Sequence, residues 1–341
     1  MKTKSTLSLL FVLVFISSAL ISKSQISILS GVEGGSYSEM AKDIQEICPP
    51  TIVTEVDTQI IQTPIRDSEG YETGETKTTY NLIKTSDSTE FIKVLTSDGA
   101  YYNFLKLKKS NVDVTFLQYD VILYEELKDL KRKFQKTEDL RILLSLGVEE
   151  IHLITKRDND KINSLKDLKN KDVGIGSSMQ GTNITAQLIK EKTGIKWYDV
   201  EIPFEKAFRA LLNDDIDAFF FVGAAPVASL NKLSPTLKDQ IKLVPIESKE
   251  LEEIYEVATI SSDTYTWVEK NIKTFSVRSV LVTSITDETP QKIENLNTLL
   301  NFIKQNINKL QAEGHPAWKT VNFKDNGIEW EFHDVAKKFM Q

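Results

Sequence analysis

Apolar and polar positions along the chain switch repeatedly between two periods. Short apolar runs bounded by glycine or polar loops read as strands, and stretches with apolar residues three and four apart read as helices. Gln25 to Gly31 (QISILSG) is the first such strand. A glycine loop follows, then a helical stretch with Met40, Ile44 and Ile47 on one face, ended by Pro49-Pro50. From about Thr51 to Thr89 the texture changes: threonine and β-branched residues flank RDSEGYETG, the signature of a hairpin-like excursion. From Glu90 the alternation resumes. EFIKVL and VDVTFL are strands, and DGAYYNFLKLKK and QYDVILYEELKDLKRKF are helices. LRILLSLGVEEIHLITK reads as two apolar strands around Gly147, and SLKDL as a short capped turn. KDVGI, WYDVEI, IDAFFFVG and SVRSVLVTS are further strands. Helices are expected over Asn183 to Lys192 with Gly194 as its stop, from Pro203, and as one long element over TPQKIENLNTLLNFIKQNINKL. Strands alternating with helices predict an α/β fold with largely parallel sheets.

The 341-residue length favours two lobes over one core. With 40% hydrophobic and 27% charged residues the composition is that of a globular chain, and a formal charge of −7 gives no basic face for nucleic acid. The N-terminus changes the picture most. MKTK is a positive n-region, Leu7 to Ile21 an apolar h-region, and Ser22-Lys23-Ser24 a cleavage signal, so residues 1–24 are expected to be a signal peptide cut near Gln25. An uncleaved anchor is the competing reading, although the run is short for a membrane span. Loss of Lys2, Lys4 and Lys23 would take the charge from −7 to −10. Cys48 is the only cysteine, so neither an internal disulfide nor a lipid anchor after the h-region is expected. An untethered exported protein points to a periplasm.

Two loops carry candidate chemistry. GSSMQGT (Gly176 to Thr182) joins a strand to a helix start, where unpartnered backbone N–H groups and the helix dipole favour an anion. Ser178, Gln180 and Thr182 add polar side chains there. SGVEGGSY repeats the design at the first strand, with Gly34, Gly35, a capping Ser36 or Ser38, and Tyr37 positioned to lean over a ligand. Ordinary capped helix starts are the competing reading of both. Gly223-Ala224-Ala225-Pro226 is a tight strand-to-helix turn. The histidines at 152, 315 and 333 have no metal-ligand spacing, no nucleophile elbow occurs, and Asn213 to Asp217 lacks the calcium-loop pattern. No catalytic residue, metal or cofactor is therefore expected.

These loops, in this order, resemble the TAXI group of solute-binding proteins, the extracytoplasmic receptors of certain tripartite ATP-independent periplasmic (TRAP) transporters. Gly31, Gly34, Gly35, Ser36 and Tyr37 resemble the family's first glycine loop. The stretch ending at Gln118 and Asp120 resembles its Gln-x-Asp step, VGIGSSMQGTNITA its glycine-rich helix start, ALLNDDIDAFFFVGAAP its most specific segment, DTYTWVEKNIKTFSVRSVLVTS its return to the first lobe, and His315-Pro316 its late His-Pro. Met179 and Gln180 stand where the family has Gly and Ser, Ser38 replaces a second Tyr, Arg278 occupies an apolar position, and about 49–89 has no counterpart. The resemblance implies a two-lobe periplasmic binding protein fold, type II-like, with a hinge of two crossing strands near Glu150 to Lys156 and Ser279 to Ser284. It implies lobe 1 over 25–152 and 284–341, with the insertion, and lobe 2 over 153–283. It also implies no enzyme but a monomeric receptor, with a small carboxylate or an amino acid such as glutamate or glutamine as ligand and TRAP permease subunits as partner. The loops and the resemblance together place the ligand among Gly34, Gly35, Ser36, Tyr37, Gln118, Ser177, Ser178, Gln180, Gly181, Thr182, Asn183, Gly223 and Ala224. Two other classes remain: a periplasmic sensor or interaction protein on the same fold, and an enzyme related to thiamine pyrimidine synthesis. One cysteine and a signal peptide oppose the latter.

Overall fold

The computed structural model describes residues 25–340 apart from 71, 108, 110, 111, 134 and 287, without the side chains of 51–61, 72 and 81–89. The expected signal peptide lies outside the described residues. The chain forms two compact units. The smaller is an antiparallel hairpin of β2 (Thr51–Arg66) and β3 (Glu72–Thr89), paired from Thr51↔Thr89 to Arg66↔Glu72 with an irregularity between Pro64 and Arg66. Its turn closes through Gly70 N–H donating to the Asp67 carbonyl at 3.0 Å, and the side chains described near its tip are largely exposed.

The larger unit is a mixed ten-stranded sheet covered by helices. In its first half β1 (Ile26–Leu29) lies between parallel neighbours β4 (Ile92–Leu95) and β5 (Val114–Gln118). Each of the three strands leads into a helix: α1 (Ser36–Ile47), α2 (Ala100–Leu107) and α3 (Tyr119–Arg132). In the second half β7 (Asp172–Gly174) lies between parallel β8 (Tyr198–Val200) and β9 (Ala218–Gly223), which lead into α4 (Gly181–Thr193), α5 (Phe204–Leu212) and the short α6 (Ala228–Asn231). Beyond α7 (Pro235–Lys238), β10 (Ile241–Leu243) and β11 (Glu256–Ile260) add antiparallel edges.

Two long strands run through both halves. β6 (Leu140–Lys156) pairs with β12 (Ile272–Ser284) from Leu140↔Ser284 to Glu150↔Ser276, then with β9 over Glu150 to Thr155. β12 pairs with β5 over Ser279 to Thr283 and with β11 over Ile272 to Ser276. The strand order β4-β1-β5-β12-β6-β9-β7-β8, with two parallel βα halves joined by two long antiparallel strands, is a mixed α/β fold of the type II periplasmic binding protein kind. Alternating or continuous burial along each strand seats the cores. Ile26, Ile28, Phe116 and Leu281 serve the first half; Leu153, Val173, Phe220 and Val277 serve the second. Burial of such side chains contributes roughly 1.5–3 kcal/mol each.

The structure departs from the sequence reading at instructive places. β6 is one strand, not two around Gly147. A side chain at 147 would put its Cβ 2.6 Å from the Ala317 carbonyl oxygen, so the glycine admits the 3-10 turn Pro316–Thr320 rather than breaking the strand. The long C-terminal helix divides into α8 (Pro290–Gln305) and α9 (Ile307–Glu313), because Asn306 leaves helical geometry and its side chain donates to the Phe302 carbonyl at 2.9 Å. Pro203 is the N-cap of α5, not its first residue. After α10 (Asp334–Lys337) the described chain ends. Trp318, fully buried, donates from Nε1 to Asp43 on α1 at 2.8 Å and so ties the C-terminal segment to the first half.

Candidate functional site

In each half the parallel strands end on the same side, so the loops after β1, β4 and β5 and those after β7, β8 and β9 gather at carboxyl ends, where α/β sheets bind ligands. A cavity of about 300 Å³ lies among them. Gly34, Gly35, Ser36, Tyr37, Gln118, Gln180, Gly181, Thr182 and Gly223 all line it. Ser177, Ser178, Asn183 and Ala224, expected in the same group, do not. Ser178 is exposed, and the Ser177 backbone N–H donates to Gln180 Oε1 at 3.0 Å within the same loop. Asn183 is one helical step, about 100°, round from Thr182 and is buried. Ala224 is buried in a turn held by Ala225 N–H donating to Glu150 Oε2 at 2.7 Å.

Neither α1, capped at Gly35, nor α4, capped at Gln180, receives a side-chain cap hydrogen bond. Both helix starts meet the cavity, and their first-turn N–H groups give it positive potential without a cation. Thr182 Oγ1 accepts from Val222 N–H at 3.2 Å, which fixes the start of α4 to β9 and leaves the hydroxyl proton to donate. Lysine and arginine are absent from the described lining. Arg278 does not line the cavity and pairs with Glu256 at 2.8 Å.

A polar group unrecognised in the sequence faces these helix starts. Glu149, on β6 where the halves meet, lines the cavity and accepts from Gln118 Nε2 at 2.6 Å. Burial, opposed by hydrogen bonds from Gln118 and Tyr37's side and reinforced by the charges of Asp120 and Glu150, pushes Glu149 up to about 7. Burial and the Glu149 charge likewise raise the Tyr37 phenol. Asp120, at the start of α3, accepts from Thr185 at 2.7 Å and Tyr255 at 2.9 Å, both in the second half; burial pushes it up to about 6. The remaining wall is aromatic and apolar, with Phe204 and Phe221 at 4.2 Å between ring centroids and Val227 beside them. His315 also lines it. The one sequence signal for Glu149 was its place: a carboxylate pair inside an otherwise apolar strand. Among the described residues no group of three or more His, Cys, Asp or Glu side chains could hold a metal.

A cavity of this size among the loop ends of this fold offers a site for a small molecule. The chain belongs to the NMT1-like family, whose model matches residues 76–336. Among solved structures it is similar to an ancestral arginine-binding protein bound to arginine (14% identity, 85% of this chain and 98% of that one, TM-score 0.44). It is also similar to a binding protein component of an ABC phosphonate transporter from Pseudomonas aeruginosa (12%, 81% and 73%, TM-score 0.44). A periplasmic substrate-binding protein of an ABC transporter from Coxiella burnetii is a third (13%, 82% and 96%, TM-score 0.38). None of these likenesses bears on the ligand.

Proposed function

We propose that the protein is an exported, non-enzymatic receptor of the TAXI group that captures a small carboxylate or amino acid and delivers it to a TRAP-type permease. The observation that carries this reading is the pair of uncapped helix starts, from opposite halves of the sheet, meeting in one small cavity. The ligand's carboxylate sits on the first-turn amides of α4 and the Thr182 hydroxyl, opposite the Gly34-Gly35-Ser36 loop. The halves act as lobes, over 25–152 with 284–341 and over 153–283, closing by bending of β6 and β12. The enzyme reading on this fold needs a reactive thiol, whereas burial pushes the lone Cys48 up to about 12, where it is a poor nucleophile. A sensor or interaction role draws support from the separate hairpin unit. A thermal-shift screen of amino acids and dicarboxylates on the chain starting at Gln25, followed by calorimetry, tests the receptor. One ligand per chain and no product after long incubation are expected; consumption of the ligand refutes it. N-terminal sequencing of periplasmic protein tests export, and a mature chain starting at Met1 contradicts it. Ligand uptake by proteoliposomes carrying a TRAP permease tests delivery; uptake that does not need this protein counts against it.

A further inference from the structure

Three buried side chains on the cavity wall share an unusual property. Gln118, Glu149 and Tyr37 are 4%, 5% and 9% exposed, and all three line the cavity. Gln118 commits its amide nitrogen to Glu149, so its oxygen is the atom left over, and that Oε1 is buried with no partner. With Glu149 ionised the orientation is fixed, because a flipped amide would set oxygen against carboxylate oxygen. The Tyr37 hydroxyl is buried beside Glu149, with its proton toward that carboxylate and its oxygen lone pairs left over. Buried polar atoms in a folded protein are nearly always paired, and those that are not call for a missing group. A carboxylate, an amide oxygen and a phenol oxygen are all acceptors. Together they match a group with several N–H donors, and an ammonium has three donors and no acceptor.

The anion-favouring pole is not distant from this acceptor cluster. Gly181, first residue of α4, is packed directly against Gln118. A site that takes an ammonium at one spot and a carboxylate at the adjoining one has the charge pattern of an α-amino acid head group, whose two charges share a carbon. The rest of the wall then faces the side chain. It is built from Phe204, Phe221, Ile202 and Val227, while its exposed charges, Glu33 and Glu205, are both negative. A second carboxylate on the ligand would find no cation there and two carboxylates.

We infer that the cavity is specific for zwitterionic α-amino acids with a neutral side chain, the ammonium held by Glu149, Gln118 and Tyr37, and that it rejects dicarboxylates, glutamate included. This rests on the reading of the cavity as a solute site. It narrows that reading by assigning an amine subsite and excluding the acidic ligands.

Calorimetry on the chain starting at Gln25 tests it with matched probes: each neutral proteinogenic L-amino acid, its 2-oxo acid and its decarboxylated amine, alongside glutamate, succinate and 2-oxoglutarate. One or more neutral amino acids are expected to bind at least tenfold more tightly than their 2-oxo acids and than every dicarboxylate. Glu149→Gln, which keeps the shape, is expected to erase most of the preference for the amino acid over its 2-oxo acid, with melting temperature and circular dichroism confirming the fold. Equal or tighter binding of glutamate, succinate or an oxo acid overturns the inference while leaving a solute receptor standing. So does an unchanged amino-acid to oxo-acid ratio in Glu149→Gln. If no probe binds at all, the solute-site reading fails and the inference falls with it.

Discussion

Gln118 and Gly181 meet so closely that a Cβ on residue 181 would stand 1.6 Å from Gln118 Oε1 and 2.5 Å from its Cδ. The first residue ends a strand of one half of the sheet and the second begins a helix of the other. The contact can exist only with glycine at 181, and Gln118 cannot swing away freely because Glu149 holds its amide.

Gly181→Ala is therefore expected to weaken ligand binding by about tenfold or more, equivalent to about 1.4 kcal/mol. The added methyl must displace either the Gln118 amide or the start of α4. Adding Gln118→Ala should recover part of the fold stability lost, since it removes the clashing atoms. Calorimetry and melting curves of the single and double variants check this; unchanged affinity in Gly181→Ala would contradict the close contact.

Glu149 and Asp120 give the free protein an unusual response to pH. Their folded values, about 7 and about 6, lie above the ordinary 4.5 and 3.8. The folded state thus holds these protons more tightly than the unfolded chain. Their effect is to make stability fall as pH rises from about 4 to about 7, by on the order of 3 kcal/mol for each group. His152 acts in the opposite sense. Burial lowers it to about 4, so its contribution is present above the ordinary 6.5 and is lost as pH falls toward 4. The difference between wild-type and Glu149→Gln urea curves isolates the Glu149 part and should shrink toward low pH, with the variant gaining relative stability above pH 7. A difference that is flat with pH would show that Glu149 ionises normally. With the ammonium ligand inferred above the order reverses, because an ammonium favours the charged carboxylate: affinity should rise from pH 5.5 to pH 8.

Every described residue lining the cavity lies outside 50–91. Replacing that unit by a short polar linker is expected to change small-ligand affinity by no more than about twofold, as for independent sites. Titration of the shortened chain against the same ligand decides it, and loss of binding in a folded product would assign the hairpin a part in capture.

Gly147→Ala should destabilise the fold by roughly 1–3 kcal/mol through overpacking against the Ala317 carbonyl and the Thr320 hydroxyl, without touching the cavity. A lowered denaturation midpoint with unchanged ligand stoichiometry is the expected result; an unshifted midpoint would mean the 3-10 turn yields at no cost.

Gly147 also marks where the sequence was legible and where it was not. The period of apolar residues located β1, α1, β5, α3, β9 and α8, because each buries one face or a whole run against the sheet. A glycine in an apolar stretch is a local sign of interruption, yet here its reason is a carbonyl contributed from 170 residues further along, which no local pattern encodes. β10 and β11 escaped for a similar reason: they are short edges whose identity comes from pairing with β6 and β12. In the site, the glycine loops were readable because helix starts have local signatures, while Gln118 came from the resemblance to a family motif. Glu149 was not, since its meaning depends on Gln118 and Tyr37 arriving from other strands. Asn183 follows Thr182 by one helical step and does not line the cavity, a difference a linear motif cannot express.

Asp120 reaches from α3 to Thr185 and Tyr255, and Tyr102 N–H donates to the Met179 carbonyl at 3.1 Å; both contacts bridge the halves. Such a seam taxes capture as well as release. If only a fraction of molecules is open at any moment, the apparent affinity is the intrinsic affinity scaled by that fraction. Loosening the seam, as Thr185→Val would, is then expected to speed both association and escape, measurable by stopped-flow. The exchange rate of a bound ligand would thus be set by a carboxylate the ligand never touches.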